Sequence, residues 1–305
     1  MRYLIHHETR LVFPDAVREH HCELRLVPRE GEMLRVSSTR VTIEPEARLR
    51  SYVDGFGNRV YYFAILGRHQ QLVTNVETVV ETRRAGAGSE NWIDPRRGAA
   101  WIADVLRMHP PLWDYVLHRS LYTPDLAPEA RELRIPRHPA GAPLGDSLGA
   151  AMVRAGELLS YDAGLRAIDT PLDAALGRGS GGSHDLAHLL VAMVRMWGVP
   201  ARYTMGYVGG GTEALHAWVD VLVPGAGWRG FDPVRRQPVD DTYVPVAVGR
   251  DSRDATPQRG TFTGTGPGTV PDVLLRVTRL EDPVRPHLAR SPAGPSRSER
   301  ASAPS

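Results

Sequence analysis

The first 84 residues alternate apolar and polar positions with the two-residue period of half-buried strands. RYLIHHETRLVF, HCELRLVP, LRVSSTRVTIEP, RVYYFAIL and QLVTNVETVVET are short, β-branched or aromatic, and separated by Pro, Gly and charged turns. Such a succession predicts a β-sandwich over residues 1–84. RRAGAGSENWIDPRRG follows, and its Gly and turn formers predict a linker over residues 85–97. Beyond it the period changes. Residues 98–107, 112–119 and 144–159 read as helices, the last carrying Leu144, Leu148 and Met152 at helical spacing. Another helix begins at or just after Ser183; Leu186, Leu189, Leu190, Met193, Val194 and Trp197 line its apolar face, and Gly198 and Pro200 stop it. ARYTMGYV (201–208), HAWVDVLV (216–223) and WRGFDP read as strands, with GGGTEAL as a loop and PGAG as a tight connection. The pattern predicts an α+β protein, a β-sandwich followed by a mixed helix-and-sheet domain over residues 98–283. The tail over 284–305 has almost nothing to bury and is predicted to be disordered.

Composition narrows the function classes. A chain of 305 residues with 42% hydrophobic and 24% charged residues can bury a substantial core. A net charge of +2 gives no argument for nucleic acid or an anionic membrane as partner. All 37 basic residues are Arg, so the protein offers no lysine amine to an acyl-transfer reaction. The single cysteine, Cys22, excludes an intramolecular disulfide and a cysteine-rich zinc site. It alternates with Leu24 and Leu26 and reads as a buried structural thiol. MRYLIHHETRLVF lacks the apolar core and cleavage site of a secretion signal, and no apolar run approaches the ~20 residues of a membrane span. A cytoplasmic location is expected.

The candidate chemistry lies in GGSHDLAHLLVAMVRMWGVPARYTMGY (181–207) and HAWVDVLVPGAGWRGFDP (216–233). They supply a nucleophile, a base and an orienting carboxylate in the order Ser183, His216, Asp232. A helix starting near Ser183 would aim its unpaired amides and positive dipole end at the hydroxyl, favouring negative charge there. His216 opens one strand and Asp232 ends the next, so a hairpin puts imidazole and carboxylate on neighbouring strands. Gly181 and Gly182 would leave space for a substrate backbone. His184 is a candidate substrate contact, and Trp218 shares a strand face with His216, as a cleft wall or a core residue. HDLAH invites a second reading: His184 and His188, four apart on a helix, resemble the HExxH zinc motif, with Asp185 at the position of its Glu. No third ligand is placed by the sequence.

The ordered motifs GGSHDLAHL, PARY, GY, HAWV, GW and FDP resemble those of bacterial transglutaminase-like proteins. HHCELRLVPR and DGFGNRV resemble the β-rich region that precedes the catalytic domain in that family, and VPVAVGRDSRDATPQRGTFTG the stretch that closes it. The resemblance implies a papain-like catalytic domain and acyl transfer at amides: cross-linking, amide formation or hydrolysis. A peptide or protein amide would be the substrate and an amine a possible acceptor, with no cofactor or metal required. It assigns the nucleophile to Ser183, the base to His216 and the orienting carboxylate to Asp232. Three positions depart from the family pattern: Ser183 stands where Cys is usual, His184 where Gln is usual, and Ser252 where Tyr is usual. A thiol is partly ionised near neutral pH, whereas a hydroxyl depends on its base during attack. The alternative is a catalytically degenerate relative that keeps the cleft as a peptide-binding or scaffolding module.

Overall fold

The computed structural model describes residues 1–31, 33–83, 95–210 and 214–281. The strands β1 (Arg2–Leu24), β2 (Leu34–Glu44), β3 (Arg50–Val53), β4 (Arg59–Ile65) and β5 (His69–Thr82) form the N-terminal β region. α1 (Pro95–Met108), α2 (Asp114–Leu117), α3 (Leu144–Leu158), β6 (Ser160–Tyr161), α4 (Leu172–Arg178), β7 (Ser180–Gly181) and α5 (Ser183–Met196) follow. The chain continues through β8 (Ala201–Val208), β9 (His216–Val223), β10 (Gly227–Asp232), β11 (Gln237–Pro238) and β12 (Tyr243–Gly249). It ends in β13 (Gln258–Thr263) and β14 (Thr269–Leu280).

RYLIHHETRLVF and HCELRLVP, read separately in the sequence, belong mostly to the single 23-residue strand β1. Pro14 and Asp15 look like breakers, but the strand passes through them on an irregularity, its pairing with β5 slipping between Val12 and Val17. Residues 2–12 of β1 pair with β5 on one edge and β14 on the other. Residues 18–24 pair with β13, and residues 20–24 with β4 on the opposite edge. Thus one strand serves two halves of the sheet, and both its edges are hydrogen-bonded. Cys22, Leu24, Phe63 and Ile65 from one half meet Ile43, Leu72 and Val76 from the other in one apolar cluster.

The last two strands run back to the first. Residues 258–280 were assigned by the sequence pattern to the second unit, yet β13 and β14 return to β1. The expected linker lies mostly outside the described residues, and residues 95–97 already belong to α1. The expected tail over 284–305 also lies outside them. Pro110 and Pro111 replace the start of the expected helix over 112–119 with a 3₁₀ turn, leaving α2 only 4 residues long.

A second, fully antiparallel sheet has the order β11-β10-β9-β8-β12. α5 packs on it. Every residue from Ser183 to Arg195 is buried, so this helix is enclosed on all sides rather than amphipathic. Its apolar residues join those of α3, β8 and β9 in a cluster that reaches Tyr3, Ile5, Leu34 and Val80 of the N-terminal sheet. Polar bonds cross the same boundary: Asn58 Nδ2 donates to the Val248 carbonyl (2.8 Å), and the Val248 amide donates to Asn58 Oδ1 (2.8 Å). The start of α5 and the ends of β9 and β10 are therefore held by one continuous core.

Candidate active site

Helix α5 begins at Ser183 because the preceding backbone is tied down. The Gly182 amide donates to Asp185 Oδ2 (2.9 Å), satisfying a donor just before the first turn. Arg178 lies 3.7 Å from the same carboxylate. Burial pushes the Asp185 carboxyl above its usual value, against the opposing pull of that amide and of Arg178. At the helix tip Ser183 is buried, and its Oγ accepts the Ala217 amide hydrogen at 3.3 Å. The nucleophile candidate thus touches the backbone directly after His216.

The β9–β10 hairpin brings the other two groups together. Gly227 pairs with Val223 and Phe231 with Val219, so the continued antiparallel register puts Asp232 opposite Trp218 and makes it a diagonal same-face neighbour of His216. The His216 Nε2 to Asp232 Oδ2 distance is 2.8 Å. The Tyr243 hydroxyl donates to the same Oδ2 at 2.7 Å, while Asp232 Oδ1 accepts the amides of Val234 (2.8 Å) and Arg235 (3.3 Å). Asp232 is wholly inaccessible to solvent. Burial alone would raise its carboxyl, but the bonds from His216, Tyr243 and the Arg235 amide hold it below the ordinary aspartate value. An ionised Asp232 fixes an Nε2–H tautomer on His216 and leaves Nδ1 as the basic nitrogen. Trp218 stacks on the His216 ring (centroids 6.5 Å, planes 26° apart) and meets Tyr243 edge-on at 5.3 Å. No hydrogen bond joins Ser183 Oγ to His216 among the described residues.

His184, next along the helix, meets the Tyr203 hydroxyl through Nδ1 at 2.5 Å. Desolvation, with the nearby His216 adding to it, lowers its pKa to about 4. It is neutral at physiological pH. Ser183, His184 and His216 together line a cavity of about 500 Å³.

Comparison with known proteins fits this geometry. Residues 3–81 match the family described as the bacterial transglutaminase-like N-terminal region. Residues 153–233 match the transglutaminase-like superfamily, a span that contains Ser183, His216 and Asp232. A solved structure described as a "putative cysteine protease" from Cytophaga hutchinsonii superimposes with a TM-score of 0.75, at 17% identity over 94% of this chain and 93% of that one. The fold is transglutaminase-like. Uncharacterized protein ML0607 of Mycobacterium leprae is 28% identical over 293 residues, 92% of this chain and 99% of that protein. Uncharacterized protein Rv2569c of Mycobacterium tuberculosis is 28% identical over 302 residues, 92% of this chain and 93% of that protein.

Within this transglutaminase-like fold, several candidate roles change. A Cβ on Gly182 would sit 1.9 Å from the Leu165 carbonyl oxygen, and one on Gly181 would sit 2.7 Å from Asp185 Cβ. The two glycines are there for packing. Trp218 is 1% exposed and lies among Val208, Tyr243 and Val239, so it braces His216 and forms no wall of the cavity. In HDLAH, His184 Nδ1 is engaged by Tyr203 and His188 Nε2 accepts the Ser252 amide (3.2 Å). The His188 ring lies between Tyr122 and Tyr203, with centroids 5.5 and 4.9 Å away. Among the described residues no three His, Cys, Asp or Glu side chains converge on a metal position. Cys22 is buried, and burial raises its thiol to about 12, which leaves it unreactive. Tyr243 and Tyr203 escaped the sequence reading. Tyr203 lies in the PARY motif, but DDTYVPV around Tyr243 carries no signal of a contact with a carboxylate eleven residues earlier.

Proposed function

We propose that the protein transfers acyl groups at amide bonds through a Ser-His-Asp version of the transglutaminase-like triad. The supporting observation is the buried His216–Asp232 pair beside a serine at a helix N-terminus. Ser183 Oγ attacks the carbonyl carbon while its proton passes to His216 Nδ1. Asp232, itself steadied by Tyr243, holds the opposite ring nitrogen and stabilises the imidazolium. Unpaired amides in the first turn of α5 stabilise the oxyanion. Collapse of the tetrahedral intermediate breaks the C–N bond, and His216 returns the proton to the leaving amine. An amine or water then takes the acyl group by the reverse sequence. In this scheme no metal or organic cofactor takes part.

A fluorophosphonate probe tests the reading. Labelling at Ser183 that disappears in His216→Ala supports the enzyme. One observation favours a second reading, a lapsed enzyme that keeps its cleft for binding: Ser183 Oγ takes a hydrogen bond from Ala217 and makes none with His216. An unlabelled natural protein, with reactivity appearing only in Ser183→Cys, would select that reading.

A further inference from the structure

The cavity lined by Ser183 and His216 is lined by residues of β1 as well. Its volume of about 500 Å³ falls within the ~300–1,000 Å³ of small-molecule sites. Alternation along β1 turns His7, Thr9, Leu11 and Phe13 to one face, and all four line the space. At ~3.3 Å per residue they extend the wall over roughly 20 Å. Leu26, Leu165, Ile168, Leu215 and Phe262 are among its other apolar lining residues, and Gln258 lines it as well.

The charge distribution has a direction. Asp162 and Arg166 are the charged lining residues among those described, and both are exposed at the mouth. Inside, burial lowers His7, His20 and His184 to about 4, so none carries charge at neutral pH. The ring of His7 is already satisfied: Thr9 Oγ1 lies 3.3 Å from Nε2 and the Tyr207 hydroxyl 3.1 Å from Nδ1. A peptide strand entering here would find few partners for its amides, Gln258 Oε1 being one buried acceptor left without a partner, whereas a hydrocarbon chain would gain from burial against the apolar wall.

We propose that this cavity binds the extended apolar chain of an acyl donor whose carbonyl is presented to Ser183, making the substrate a medium- to long-chain acyl compound. The inference rests on Ser183 as nucleophile, and its test separates the two claims. With p-nitrophenyl esters, the Ser183 Oγ–carbonyl bond forms, the carbonyl–aryloxide bond breaks, and the serine proton leaves through His216 with the nitrophenol. Water then attacks the acyl-serine, giving up one proton through His216 to Ser183 Oγ and releasing the carboxylic acid.

Ester lengths from acetyl to dodecanoyl are compared on the full chain, with Ser183→Ala as the blank and peptide mapping to locate the adduct. The expected kcat/KM rises at least about a hundredfold along the series, in keeping with the ~10–200-fold discrimination that single methylenes reach in apolar pockets. Two variants obstruct the cavity: Leu11→Trp within it, and Ala163→Trp at the exposed rim, where folding does not depend on the side chain. Both are expected to shrink the preference to about threefold or less. Acylation of Ser183 that ignores chain length overturns the pocket and leaves the nucleophile intact. Saturable binding of dansylated undecanoic acid, lost in Ala163→Trp but without acylation at any length, supports the pocket and removes the nucleophile. Neither acylation nor saturable binding overturns both.

Discussion

Acid should destabilise this protein through its buried neutral histidines, and His184 gives the sharpest test. It is 5% exposed, sits beside Ser183, and has its pKa lowered from 6.5 to about 4, chiefly by desolvation and further by the proximity of His216. Between those two values the unfolded chain binds a proton that the folded protein refuses. Stability therefore falls as pH drops through this window and is unaffected by His184 above it. At 1.36 kcal/mol per pKa unit the full loss is about 3 kcal/mol below pH 4, of which about 2 kcal/mol is already present at pH 5. His184→Gln removes the titration while keeping a polar partner for the Tyr203 hydroxyl. Urea unfolding at about pH 5 and about pH 8 reads the difference for both proteins. Wild type is expected to lose about 2 kcal/mol more than the variant on acidification; the residual slope includes His7, His20, His138 and His188, also lowered by burial. Equal pH slopes would refute the claim that His184 is held neutral.

Asp232→Asn would turn an amide NH₂ toward His216 Nε2, move the ring proton to Nδ1, and remove the base from Ser183. Fluorophosphonate labelling is expected to slow by about 10⁴, with the folded structure retained by circular dichroism. Tyr243→Phe deletes a hydrogen bond to a buried carboxylate; it should cost about 1.5–3 kcal/mol in urea unfolding and shift the acid limb of the labelling profile upward as the Asp232 pKa rises. Gly182→Ala drives a methyl into the Leu165 carbonyl. A stability loss of at least about 1–3 kcal/mol by thermal unfolding is expected, and an unchanged melting temperature would show that the glycine is not there for packing.

What the sequence disclosed depended on whether the signal was local. Helix α5 was legible because its apolar positions recur at helical spacing and Gly198, with φ of 71°, closes it. His216 and Asp232 stood out as candidates through the HAWV and FDP motifs on two strands joined by a tight connection, whereas their register comes only from the β9–β10 pairing. Local punctuation misled at Pro14 and Asp15, where β1 runs on and bends between the two sheet halves. β14 went unread: its burial alternates weakly, with Val273 and Leu274 exposed beside buried Leu275, and its partner lies at the opposite end of the chain. The same non-locality hid the cavity, whose walls come from β1, the segment after β6, and β13. For Gly182 the residue type was informative but the reason was not, since only the fold brings Leu165 against it.

The proposed chemistry turns on one covalent event. Intact-mass measurement after incubation with peptide and amide acyl donors, followed by peptide mapping, tests it most directly. The predicted result is one acyl group added per chain, located on Ser183 and absent from Ser183→Ala and His216→Ala. An unmodified protein that still turns over the donor, or an adduct that persists in Ser183→Ala, would contradict it.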